Sequence, residues 1–315
     1  MKEIVAGKND AGQRLDKFLS KKFKSLPFSM MYKLIRKKDI TVNKGRTKEN
    51  YIVCENDLIR IFAPDDVLDE KTKKRSVARD DVNVVYEDEN ILIVDKESGV
   101  LVHSDSNEDG DTLIDRIAAY LINKGEFVPE NENSFAPALC NRIDRNTEGL
   151  VIAAKNAQAL REMNDIIKER KIKKIYLAAV HGVLNPKKGE IKLLLEKESD
   201  GNIVKVKDHK TKNAKSAVTL YNTVAVSGKR DLSLVEVELI TGRTHQIRVS
   251  FAHIGHPLLG DGKYAINKKD REIGYKSQAL CAYSLTFSGC KKSELLGYLD
   301  GLTVTAKKPR FLSLF

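Results

Sequence analysis

The chain has no tryptophan, and among its 315 residues there are only 7 prolines and 4 cysteines. Cys54, Cys140, Cys281 and Cys290 show no Cys-x-x-Cys spacing and are too sparse for a disulfide scaffold. They fit reduced thiols in a reducing compartment. No apolar run approaches the roughly 20 residues that a membrane span needs, and Met1-Lys2-Glu3-Ile4-Val5-Ala6-Gly7 lacks the apolar centre of a secretory signal. A cytoplasmic protein with no membrane segment is therefore expected. No Gly-x-Gly-x-x-Gly or Walker A pattern occurs, and the six histidines show no metal-ligand spacing. Neither a nucleotide cofactor nor a metal is expected. Internal repeats and low-complexity tracts are also missing.

Positive charge is plentiful. The net charge is +11 and the pI about 9.3, which favours a polyanionic partner, because cations that neutralise phosphates release counterions. Charge alone does not choose nucleic acid over an acidic membrane. Residues 1–68 hold 15 Lys and Arg against 9 Asp and Glu, so this fifth of the chain carries +6 of the total. With 41% apolar residues the remainder can bury a core, and the length suits two domains.

Leu15, Phe18, Leu19 and Phe23 mark a short amphipathic helix that ends at Ser25-Leu26-Pro27. Ser29 is a candidate cap for a second helix, with Met31, Leu34 and Ile35 inward and Lys33, Arg36, Lys37 and Lys38 outward. Either helix could simply be solvated on its basic face. Ile40-Thr41-Val42 and Leu58 to Phe62 read as strands. Residues 69–80 are almost wholly polar and read as a charged linker. Beyond it, 82–86 and 91–95 suggest a hairpin, Thr112 a cap for the stripe Leu113, Ile117, Tyr120 and Leu121, and Asn156 a cap for Leu160, Met163, Ile166 and Ile167. Lysines at 205, 207, 210, 212 and 215 form a basic segment. Leu232 to Ile240 alternates as a half-buried strand does.

Cys140-Asn141-Arg142-Ile143-Asp144-Arg145-Asn146-Thr147-Glu148-Gly149 is a polar run feeding the β-branched Leu150-Val151-Ile152-Ala153. It reads as a loop held by a strand, a place where reactive groups concentrate. By itself it could equally be a surface turn with a solvated ion pair. Tyr176, in an apolar strand, could be core or a stacking platform. Thr241-Gly242-Arg243-Thr244-His245-Gln246-Ile247-Arg248 reads as a turn into a helix, which puts His245 and Arg248 on one face. His253-Ile254-Gly255-His256 spells a nucleotide-binding signature of one class of aminoacyl-tRNA synthetase, yet here it follows the helix and reads as its termination.

The Asp144 stretch resembles the central motif of the RluA family of RNA pseudouridine synthases, His-Arg-Leu-Asp-Arg-x-Thr-Ser-Gly, with Asn141, Ile143 and Glu148 as departures. Lys173-Lys174-Ile175-Tyr176-Leu177-Ala178-Ala179-Val180 and Thr241 to Val249, continuing to Gly260-Asp261, follow in the family's order. The resemblance runs from about Val82 onward. It implies Asp144 as the catalytic aspartate, Tyr176 as the residue that holds the detached base, and Arg248 as the cation beside Asp144, with Arg243 competing for that place. It also implies that Arg142 enters the RNA stack where the base leaves. A salt bridge from Arg142 to Glu148 is the alternative. His245 is a candidate substrate contact. Arg14 to Leu19, Tyr32 to Lys38 and Val42-Asn43 resemble the small RNA-binding domain called the S-four fold, which makes Lys33, Arg36, Lys37 and Lys38 candidate RNA contacts.

An α+β protein is expected, with an RNA-binding domain at 1–68, a linker at 69–80 and a mainly antiparallel catalytic domain at 81–315. Its expected activity is cofactor-independent isomerisation of uridine in RNA. The expected partner is large-subunit (23S) ribosomal RNA or its precursor, bound by a monomer. A transfer RNA synthase and a non-catalytic ribosome assembly factor are the alternatives.

Overall fold

Near the N-terminus, apolar spacing and helix geometry agree. The computed structural model describes residues 1–64, 67–68, 79–103, 111–198 and 203–315. The expected linker at 69–80 lies outside them except for Arg79 and Asp80. Helices α1 (Leu15–Lys22) and α2 (Phe28–Lys37) pack Leu15, Phe18, Leu19, Met31, Leu34 and Ile35 into one core. Strands β1 (Lys2–Val5), β2 (Ile40–Val42), β3 (Gly45–Arg46) and β4 (Leu58–Ile61) form a small antiparallel sheet in the order β1-β4-β2-β3. Ser29 is not the cap of α2. Pro27 occupies that position, in the extended backbone of a cap (φ −65°, ψ 143°) with φ fixed by its ring, and the helix starts two residues earlier.

The chain forms two compact units. Met1–Asp81, Ile114–Ala138 and Ala154–Arg161 make up the first. Within it, Asp10 is 1% exposed and accepts hydrogen bonds from Gly7 N (2.9 Å), Asn133 Nδ2 (2.8 Å) and Ser134 Oγ (2.5 Å). Asn9 donates to Glu132 at 2.7 Å and accepts from Ala157 N at 3.0 Å. Nothing periodic announces this join, since it rests on isolated polar residues.

Val82–Leu113, Leu139–Ala153 and Glu162–Phe315 make up the second unit. The expected hairpin is present as β5 (Val84–Glu87) and β6 (Ile91–Lys96). Next along the chain come α3 (Leu113–Asn123), which falls almost wholly in the first unit, β7 (Ala138–Leu139), β8 (Glu148–Ala154) and α4 (Ala157–Lys168), whose first turn belongs to the first unit and is capped by Asn156, which accepts from Ala159 N. Strands β9 (Ile172–His181), β10 (Lys188–Lys197), β11 (Val204–Lys207), β12 (Lys215–Ser227) and β13 (Leu232–Leu239) follow. The chain continues through α5 (Gln246–His253), α6 (Lys268–Glu272), β14 (Leu280–Phe287) and β15 (Thr303–Thr305).

One long sheet runs β11-β10-β12-β13-β9-β14-β8-β6-β5, with β15 on β14 and β7 on β8. The pairings from β11 to β14 are antiparallel, and β14 meets β8 in parallel over Cys281–Glu148 and Ala282–Gly149. Gly149 sits at that crossing with φ 110°, and a Cβ there would collide with the Ala282 backbone. Its missing side chain thus brings the Asp144 loop against the centre of the sheet. Helix α5 packs Ile247 and Phe251 on Ala178, Val180, Val235 and Val237, which lays its N-terminal turn beside that loop. Among the described residues no helix is long and apolar enough to cross a membrane.

Candidate active site

Asp144 lies in the loop between β7 and β8, and its side chain is 25% exposed. The turn that carries it is fastened from several sides. Thr147 N donates to Asp144 O, and Asn141 spans the loop base by accepting from Ile152 N at 2.7 Å and donating to Leu150 O at 3.4 Å. Lys96, 2% exposed, donates to the carbonyls of Glu97 (2.8 Å), Val100 (3.0 Å) and Arg145 (2.8 Å). Gly99 N also donates to Arg145 O, and Ser98 Oγ to Asn146 O. Burial draws the Lys96 pKa down to about 8, against the pull of Asp144 and Glu148. It is still mostly charged at neutral pH, as a cage of three carbonyls requires.

Arg248, on the first turn of α5, reaches Asp144 with Nη1 at 3.1 Å from Oδ2. Its Nε and Nη2 grip the two oxygens of Asp261 at 2.7 and 2.8 Å. Asp261 is 1% exposed and also accepts from the backbone of Lys263 and Tyr264. Burial would push its pKa up, but Arg248 and these amides hold it below the usual carboxylate range. Burial likewise works against the charge on Arg248, and Asp261 and Asp144 more than restore it. The Asp261 loop is set by segment 257–261, which pairs with β9 through His181 N to Pro257 O and Leu259 N to Ala179 O.

The other site residues divide between this pocket and the surface. Tyr176, on β9, joins the core under α5, and burial followed by the Asp144 charge keeps its hydroxyl protonated. His245, 8% exposed, places Nε2 3.9 Å from Asp144 Oδ2. Burial lowers its pKa to about 4, so the ring is neutral. Arg243 is exposed and spends its Nε on Ser216 O at 3.0 Å, so it is Arg248 that meets Asp144. Gln246 fixes this turn by accepting from Thr241 Oγ1 and Arg243 N and donating to Val218 O and Thr219 Oγ1.

Arg142 is exposed at the loop's rim. Its alternative partner Glu148 lies among Asp95, Lys96 and Cys281, and burial raises the Glu148 pKa. Lys33, Arg36, Lys37 and Lys38 are all exposed on or just beyond α2. The sequence assigns no role to Lys96, Asp261 or Tyr264, although Asp261 closes the third of the family-like blocks. Asp261 had a signal, as an acidic residue close after the Arg248 segment.

A family model described as RNA pseudouridylate synthase matches residues 90–253, and one described as S4 domain matches residues 13–59. The chain is 34% identical over 296 residues to the ribosomal large subunit pseudouridine synthase C of Haemophilus ducreyi, covering 91% of this chain and 87% of that one. It is 36% identical over 282 residues to the protein of the same name in Buchnera aphidicola, covering 85% and 82%. Its fold is similar to that of human RNA pseudouridylate synthase domain containing 1, with a TM-score of 0.58 and 22% identity over 76% of this chain and 88% of that one.

Proposed function

Because the chain belongs to the RNA pseudouridylate synthase family, we propose that it converts specific uridines of large-subunit ribosomal RNA into pseudouridine, with Asp144, Tyr176 and Arg248 at the reacting centre. The observation that carries the site reading is Arg248, a cation held on one side by the buried Asp261 and offered on the other to the half-open Asp144. The reaction breaks the bond from C1′ to N1, turns the base and joins C1′ to C5. The C5 proton is lost and N1 gains one, so atoms and electrons balance without an oxidant.

Asp144 serves either route that opens the glycosidic bond, attack at C1′ or removal of the 2′ proton. Fixed charges around it stabilise the developing polarity with little reorganisation. Tyr176 offers a ring on which a flipped base stacks, and a protonated hydroxyl at its edge. Arg142, exposed beside the loop, is positioned to fill the gap left in the RNA stack. Residues 1–68, with Lys33, Arg36, Lys37 and Lys38 outward on α2, act as the RNA-binding region and 81–315 as the catalytic region.

The names of the relatives favour ribosomal over transfer RNA. This reading places the protein in the cytoplasm with the ribosome. In this reading it acts as a monomer. The test is to map pseudouridines in total RNA from cells with and without the protein. Sites lost from large-subunit ribosomal RNA support the substrate, whereas losses confined to transfer RNA would reassign it.

A further inference from the structure

His245 has an unusual backbone for a non-glycine residue. It precedes α5 with φ 52° and ψ 20°, the left-handed region, where side chains other than Asn, Asp and His are rare. Such strain persists where surrounding contacts over-determine it, and it clusters at functional sites. Here it turns a buried imidazole so that one nitrogen faces Asp144 and the other faces Tyr264. His245 Nδ1 lies 2.6 Å from Tyr264 Oη, and Nε2 lies 3.9 Å from Asp144 Oδ2.

The hydrogen-bond directions follow from what each group can do. Val204 N can only donate, and it donates to Tyr264 Oη at 3.0 Å. The Tyr264 hydroxyl proton is then free to point at His245 Nδ1, which must accept it. If Nδ1 carried the proton, the tyrosine oxygen would face two donors and its own O–H would lose this partner. Tyr264 is itself fixed by its ring, which packs edge-on to His245 with centroids 5.6 Å apart and beneath the Arg248 guanidinium at 5.2 Å. Burial is the main force keeping the imidazole uncharged. Asp144 opposes it, Arg248 and Lys263 support it, and Asp261 opposes it weakly.

We propose that His245 is a neutral hydrogen-bond donor, through Nε2–H, to an oxygen of the target uridine beside Asp144, and that Tyr264 is the positioning residue that fixes its tautomer. This rests on the proposed function for its substrate and on the geometry alone for its tautomer. At 3.9 Å the Nε2–H is beyond hydrogen-bond reach of Asp144 Oδ2, which leaves it able to donate to an oxygen of a uridine bound beside Asp144. A neutral donor adds no second cation beside Arg248, and it cannot drain the charge of Asp144 by a proton transfer at neutral pH.

The test uses the full chain labelled with nitrogen-15, free of RNA, at pH 7, with the His245 ring signals assigned by their loss in His245→Gln. A long-range proton–nitrogen spectrum should show a bare Nδ1 and a protonated Nε2. A proton on Nδ1, or on both nitrogens, would overturn the proposal whatever the protein's substrate proves to be. In Tyr264→Phe the two tautomers should mix. The single-turnover rate should fall by about tenfold or more at unchanged RNA affinity. His245→Gln, whose amide can donate near the Nε2 position, should retain more activity than His245→Ala. Equal losses in Gln and Ala, or normal turnover in Tyr264→Phe, would also overturn it. If Tyr264→Phe does not fold, the parent spectrum still decides the tautomer. Absence of pseudouridine formation by the parent on any RNA would instead strike the proposed function.

Discussion

Asp261 holds Arg248 by two parallel hydrogen bonds of 2.7 and 2.8 Å, and through that grip fixes the cation that Asp144 faces. The pair is almost sealed from solvent, so its worth lies in position more than in net attraction. Removing one member leaves the other charge buried without its counterpart.

Asp261→Asn should therefore unfold more easily by about 3–5 kcal/mol, the usual cost of breaking a buried ion pair, and lose most turnover while it stays folded at low temperature. The sign with pH follows from the lowered folded-state pKa of Asp261. Its stabilisation is present above the unfolded carboxylate value and is lost as pH falls through the folded one. Denaturant titrations of both proteins at pH 7 and pH 3 should show the difference shrinking in acid. A constant difference would mean that the pair is not what the variant loses.

Lys96 makes a prediction of the same sign at alkaline pH. Its folded pKa is about 8, while an unfolded lysine holds its proton to about 10.4, so between these values the unfolded chain binds more protons and stability rises with pH. From pH 7.5 to 9.5 the parent should gain roughly 2 kcal/mol relative to Lys96→Met. That variant, with three carbonyls unpaired behind the Asp144 turn, should also be less stable at pH 7.5 and slow in turnover. Urea titrations at the two pH values measure it, and a difference independent of pH would refute the linkage.

The exposed cations of α2 predict a salt effect. Replacing Lys33, Arg36, Lys37 and Lys38 by Gln should weaken RNA binding and lower the slope of log K against log salt by roughly 0.7–0.9 for each phosphate contact removed. Thermal stability should hardly change, since these side chains lie outside the α1–α2 core. An unchanged slope would mean that this face is only solvated.

Periodicity exposed α1, α2, the β5–β6 hairpin and β13, because each buries one face and repeats at the period of its element. Much of the long sheet was harder to read. β10 mixes charge with apolar residues on a strand half in solvent, and β14 owes its place to a parallel crossing at Gly149 that no local pattern marks. The site shows the same division. Asp144, Tyr176, His245 and Arg248 stand out as chemistry-bearing residues in ordered blocks, whereas Lys96 reaches the Asp144 turn through the Arg145 carbonyl, 49 residues away, and Tyr264 acts through the imidazole of His245. Their partners exist only once the chain has folded. The choice between Arg243 and Arg248 is open in the sequence for the same reason, and the fold decides it by turning Arg248 Nη1 to Asp144 and Arg243 Nε to Ser216 O.

Asp144 is the group proposed to isomerise uridine in ribosomal RNA. The direct measurement is tritium release from large-subunit ribosomal RNA carrying uridine labelled at C5, with the parent and with Asp144→Asn at saturating protein. The parent should release the label as pseudouridine forms, and Asp144→Asn should bind the RNA with similar affinity and release none. Normal release by Asp144→Asn would remove the catalytic role from Asp144, and no release by a folded, RNA-bound parent on any ribosomal RNA would remove the activity itself.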